Sequence, residues 1–196
     1  MKNKEISIDA LPSSDQLEAE LKREQYRSNY NGVLRSTIYA LIVVAAVAVL
    51  VATLWMPVLQ IYGTSMTPTL TEGDIVVTMK GSKFTTGDIV GFYYGNKLLV
   101  KRCIAGPSDW VDIDEEGNVY VNSQLLDEPY ITEKALGDCN IELPYQVPDG
   151  KYFLIGDHRA TSVDSRNTAV GSVADDSIVG RIMFRIWPLS QFGEIQ

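Results

Sequence analysis

Residues 36–59 run for 24 positions without a charged side chain. A helix of that length, at about 1.5 Å per residue, crosses a hydrocarbon core of about 30 Å. A buried core helix rarely stays apolar for so long, and a cleavable leader has an apolar region of only about 7–15 residues. The stretch therefore reads as one transmembrane helix. Lys22, Arg23, Arg27 and Arg35 precede it, whereas the first charges after it are Glu72 and Asp74. Basic flanks stay in the cytoplasm. The expected division is a cytoplasmic arm over 1–35, a membrane span over 36–59 and an extracytoplasmic domain over 60–196, in a cell membrane with the bilayer as one partner.

The last of these segments is long enough for a single core. Its charge narrows the choice of partner. The chain carries a formal net charge of −8, while its first 59 residues hold six basic and six acidic side chains, so the excess acid belongs to the outer domain. Nucleic acid is not an expected partner. The arm up to Tyr30 mixes charges with Ser, Asn and Gln and reads as disordered or as a short frayed helix. Cys103 and Cys139 both fall outside the cytoplasm, where a disulfide can persist; the alternative for Cys103 is a buried free thiol in an apolar strand. One histidine and two distant cysteines offer no zinc spacing, so no metal site is expected.

Short runs rich in β-branched and aromatic residues make the outer domain β. They cover residues 58–62, 74–79, 88–94, 97–104, 110–113, 119–122, 151–155 and 178–187. Gly95-Asn96 and residues 115–118 supply hairpin turns. The stretch over about 107–148 is richer in Asp, Asn and Pro than its flanks, as expected of a small lobe inserted into a core sheet. No helix is expected outside the membrane.

Three polar clusters stand out against this apolar pattern: Gly63-Thr64-Ser65-Met66-Thr67-Pro68, Lys101-Arg102 at the end of an apolar run, and residues 156–166 with Asp157, His158, Arg159, Ser162, Asp164 and Arg166. A serine hydroxyl is a weak nucleophile until a base takes its proton. Two bases are available, His158 and Lys101. The lysine qualifies if the apolar side chains of Leu98, Leu99, Val100 and Ile104 lower its pKa from about 10.4 toward 7 or 8. Arg102, next along the strand, is expected to face the other way and stay solvated. Each cluster alone has a plainer reading: a turn before a proline, a solvated strand end, and a loop whose Asp157, Arg159, Asp164 and Arg166 pair among themselves.

In this order and behind a membrane span, the three clusters resemble the bacterial type I signal peptidases. The resemblance runs from about Ile61 to Trp187 and implies a mainly β catalytic domain that removes signal peptides from secreted preproteins without metal or organic cofactor. It implies Ser65 as nucleophile and Lys101 as general base, with Ser162 orienting the lysine amine. Asp164 and Arg166 would brace the site, with Asp157 and Arg159 as further partners; Ile61, Met66, Leu70 and Val100 match positions that line pockets for small substrate side chains. Two positions depart from the family. His158 stands where asparagine is usual, and Gly63 stands where some members carry a serine whose hydroxyl helps form the oxyanion hole. If Gly63 does not need a positive φ, Gly63→Ser should preserve or raise turnover. The rival readings are a specialised Ser/Lys processing peptidase and a non-enzymatic binding domain.

Overall fold

The computed structural model describes residues 13–195. Its helix α1 (Ser14–Trp55) has 42 residues. The Gln16 N–H donates to Ser13 Oγ at 3.4 Å and the Ser13 N–H to Gln16 Oε1 at 3.1 Å, a reciprocal cap that starts the helix. Leu17, Glu18, Ala19, Leu21, Lys22 and Arg23 then favour its propagation. The arm expected to be disordered or frayed is thus helical from Ser14 on, and its first twelve residues lie outside the described ones. Met56 precedes Pro57, a position that disfavours α geometry, so the helix stops at Trp55 rather than Leu59. One 18-residue window of α1 has a mean hydropathy of 2.7 and 0% of it is buried. An apolar window that no other described residue covers fits a lipid surround, and the protein is membrane-anchored.

The strands follow in chain order: β1 (Val58–Gln60), β2 (Ile75–Lys80), β3 (Ile89–Tyr94), β4 (Lys97–Ala105), β5 (Trp110–Ile113), β6 (Val119–Val121), β7 (Gln124–Leu125), β8 (Tyr145–Gln146), β9 (Lys151–Ile155), β10 (Val173–Ala174), β11 (Ile178–Trp187) and β12 (Gly193–Glu194). The larger sheet runs β1-β2-β11-β3-β4-β9-β10, with β12 added to β11, and a smaller sheet runs β7-β6-β5-β8. All pairs are antiparallel. The smaller sheet uses only residues between β4 and β9 and is therefore an insertion into the larger one. Four two-residue strands, β7, β8, β10 and β12, were not foreseen in the sequence.

Alternation along the strands splits the core. Val90, Phe92 and Leu154 pack on Cys103, while Ile89 joins Ile61, Met66, Leu70, Val76 and Ile182. Phe153 and Ile155, out of phase with Leu154, pack with Ile104 on Val111, Val119 and Val147 and so weld the inserted lobe to the larger sheet. Cys103 and Cys139 are free thiols, and the disulfide allowed by the sequence is not formed. Burial pushes the Cys103 thiol up to about 12, as suits a small core hydrophobe.

Candidate active site

Lys101 lies within the larger sheet, opposite Val90 on β3, in the last stretch of β4 before β9 begins to pair. Ser65 lies in the connection between β1 and β2, a turn held by Thr67 N–H to Thr64 O at 3.1 Å and Leu70 N–H to Met66 O at 2.9 Å. These two elements bring Lys101 Nζ to 2.6 Å from Ser65 Oγ. That is proton-transfer distance. Lys101 is only 4% exposed. Its pKa is lowered from 10.5 to about 8: burial is the largest cause and Arg166 adds to it, while Asp164 and Asp157 oppose. Removing an ammonium from water favours the neutral amine, and a pKa of about 8 leaves roughly a tenth of it neutral at pH 7.

The third cluster, residues 156–166, forms a loop after β9 that clasps the serine turn. The His158 N–H donates to Ser65 O at 3.1 Å. Gly156 allows this approach, since a Cβ there would stand 2.5 Å from Ser65 O and 2.2 Å from Ser162 Oγ. Ser162 is 1% exposed and its hydroxyl has no hydrogen-bond partner among the described residues, so the bond to the Lys101 amine implied by the family resemblance is not made. The His158 ring turns outward, with Nδ1 2.6 Å from Thr161 Oγ1.

Behind the dyad the loop is ionic. Asp164 accepts from Arg166 Nε and Nη2, both at 2.9 Å, and from the Gly156 N–H at 3.0 Å. Asp157 pairs instead with Arg102, through Nε at 2.9 Å and Nη2 at 2.7 Å, and accepts from Thr69 Oγ1 at 2.5 Å. Arg102 follows Lys101 in the ladder, opposite Ile89, and alternation along β4 turns it to the other face. It is 1% exposed rather than solvated, because Gly87 O and the Tyr130 ring, 3.6 Å away, complete its surround. Arg159 pairs with Glu128 of the inserted lobe. Of the pairings expected within the loop, only Asp164–Arg166 forms. Glu128, Tyr130 and Arg185, which donates to Thr69 O from β11, are the site residues that the sequence did not reveal. Three arginines among apolar strands do demand three carboxylates. Asp157 and Asp164 account for two, and nothing local marks Glu128 as the third.

A cleft of about 600 Å³ opens beside Ser65, lined by β1 and by residues 97–101 of β4. Ile61, Met66 and Val100 line it next to the dyad. Leu70 does not, being wholly buried in the core below Met66. Both walls offer unpaired main chain. β1 ends the sheet, and β4 pairs with β9 only from Arg102 onward. Among the described residues no group of three or more His, Cys, Asp or Glu could hold a metal ion.

Comparison with known proteins shows the family of the chain. Residues 34–187 match the family described as "Signal peptidase, peptidase S26". Signal peptidase I of Bacillus licheniformis is 33% identical over 184 residues, covering 86% of this chain and 96% of the relative. Signal peptidase IB of Staphylococcus aureus (strain COL) is 36% identical over 152 residues, covering 67% of this chain and 78% of the relative. A crystal structure of a signal peptidase I from Enterococcus faecalis V583 is 27% identical and covers 51% of this chain and 97% of that one, with a TM-score of 0.42. The chain belongs to the signal peptidase family, peptidase S26.

Proposed function

We propose that the protein is a membrane-anchored serine endopeptidase that removes signal peptides from secreted preproteins, with Ser65 as nucleophile and Lys101 as general base. The observation that carries the reading is the 2.6 Å contact between Lys101 Nζ and Ser65 Oγ at a cleft floor, where burial holds the lysine pKa near 8. The preprotein lies extended in the cleft, adding main-chain hydrogen bonds to the unpaired edges of β1 and of residues 97–101. Ile61, Met66 and Val100 leave shallow space beside the scissile bond, which selects small side chains there. Leu70 acts from beneath by holding Met66.

The neutral Lys101 amine takes the Ser65 proton as Oγ bonds to the scissile carbonyl carbon. The Ser65 N–H, which donates to no other main-chain carbonyl among the described residues, faces the developing oxyanion. Collapse breaks the C–N bond, and the Lys101 ammonium returns its proton to the leaving amine. A water that gives its proton to Lys101 then cleaves the ester, and Ser65 Oγ is released as a hydroxyl. The basic run from Lys22 to Arg35 keeps the N-terminus cytoplasmic and the peptidase domain outside.

The test is cleavage of a signal-peptide substrate by the purified full chain in detergent. Ser65→Ala and Lys101→Arg should each lose about 10³-fold or more in kcat/KM while staying folded, since a guanidinium cannot accept the proton. Cleavage retained by either folded variant overturns the assignment.

A further inference from the structure

The inserted lobe contains an irregular segment, residues 128–140, that belongs to no strand. Several of its groups contact the loop 156–166 instead. The Glu128 carboxylate bonds both terminal nitrogens of Arg159 in a pair whose side chains are 1% and 0% exposed. The Tyr130 ring covers Arg102 and its hydroxyl donates to Glu128 Oε1 at 3.1 Å. Leu136 O accepts from Arg166 Nη1 at 2.7 Å, and the Asn140 N–H donates to Arg166 O at 3.0 Å. Arg102, Arg159 and Arg166 therefore each touch this one segment. At Gly137, with φ +64°, a Cβ would stand 2.3 Å from Arg159 O and 2.7 Å from Arg166 Nη1.

Building on the Ser65/Lys101 reading, we propose that residues 128–140 are a strap by which the inserted lobe fixes Arg166 behind Lys101, with Glu128 and Gly137 as positioning residues for the reaction. The chain of contacts is short. Glu128 anchors Arg159, the Arg159 carbonyl accepts from Arg166 Nη2 at 3.0 Å, and Arg166 neutralises Asp164. The charged groups around Lys101 are Asp157, Asp164 and Arg166 from the loop, with Arg102 beside it in β4. The one histidine, His158, is engaged with Thr161. If the strap loosens, Arg166 withdraws its positive field and leaves Asp164 less compensated. Both changes favour the ammonium, so the pH at which the base becomes active must rise.

The experiment measures kcat/KM against pH for the full chain and for Gly137→Ala, which wedges the strap away from Arg159 and Arg166. Glu128→Gln keeps the shape and decides the matter if the first variant does not fold. Val173→Ala, in a core cluster of the larger sheet that no strap residue joins, serves as the control for lost stability. The strap variants should shift the alkaline rise upward by about half a unit to one unit, while Val173→Ala keeps the parental midpoint. A folded strap variant with the parental midpoint, or a control that moves equally, overturns the proposal. Failure of the underlying reading looks different: Lys101→Arg would remain active whatever the strap does.

Discussion

The two faces of β4 bury neighbouring cations that meet opposite fates. Arg102, at 1% exposure, is matched by a bidentate carboxylate, a carbonyl and an aromatic face. Lys101, at 4%, has one hydrogen-bond partner among the described residues, the Ser65 hydroxyl. Burial alone therefore does not decide what a charge becomes. On the back face the partners hold the guanidinium in place and build structure; on the front face burial with few partners lowers the amine pKa, which is what the proposed base requires. The same strand supplies both because side chains alternate across it.

Breaking the back face should have the largest effect on stability. Asp157→Ala strands the Arg102 guanidinium in a dry site and also releases Thr69, at a cost of about 3–5 kcal/mol. Urea unfolding of the peptidase domain in the full chain measures it. A loss below about 1 kcal/mol, typical of an exposed pair, would return Arg102 to the solvated role its sequence position implies.

The front face should respond with the opposite sign. Lys101 has a folded pKa of about 8 against 10.5 ordinarily. The unfolded chain thus binds more protons between those values, and stability rises with pH across that window. Below it the full cost of burying the ammonium is present, about 3 kcal/mol at about 1.4 kcal/mol per unit. Lys101→Met, which removes the charge and keeps the bulk, should be inactive yet more stable than the parent at pH 7 by about 2–3 kcal/mol, with the gain shrinking toward pH 10.5. Guanidinium unfolding at the two pH values separates this from better packing, which would give equal gains at both.

That contrast also marks how far the sequence could be read. The serine, the lysine and the late loop are visible because each is a local polar cluster in an apolar or turn setting, and the longer strands because their side chains carry a period. The strands at Lys97–Ala105, Trp110–Ile113, Lys151–Ile155 and Ile178–Trp187 have enough residues to show it. Two-residue strands such as Gln124–Leu125 carry no period at all. The ionic partners of the site were hidden for another reason. Glu128 lies 31 residues from Arg159, and Asp157 55 from Arg102, so only the folded sheet brings them together. The burial of Arg102 could not be inferred without knowing that Asp157 and Tyr130 wait on that face.

Gly63 yields a smaller effect, because the condition on which its replacement would be harmless is not met. Its φ is +79°, while a Cβ built there meets nothing within 4 Å. The obstacle to a side chain is thus backbone strain alone, about 1–2 kcal/mol for an L-residue in left-handed geometry. Gly63→Ser should therefore lower turnover several-fold by shifting the turn that aims Ser65, instead of preserving or raising it. Single-turnover cleavage rates decide this. A rise would mean that the new hydroxyl reaches the oxyanion and outweighs the strain.

His158 should matter least, and it tests whether the base has been placed on the right face of the sheet. The contact that His158 makes with the serine turn comes from its main-chain N–H, which donates to Ser65 O at 3.1 Å and which any residue but proline supplies. Its ring is half-buried and bonds Thr161 Oγ1, three residues further along the same loop. Asparagine can accept or donate at that point through its side-chain amide. His158→Asn should accordingly keep kcat/KM within about twofold and leave the midpoint of the pH profile unchanged, because the proposed mechanism assigns the titrating group to Lys101. If the folded variant instead loses cleavage, or its alkaline rise moves while Lys101→Ala stays active, proton transfer runs through the imidazole and the contrast between the faces of β4 no longer explains the chemistry.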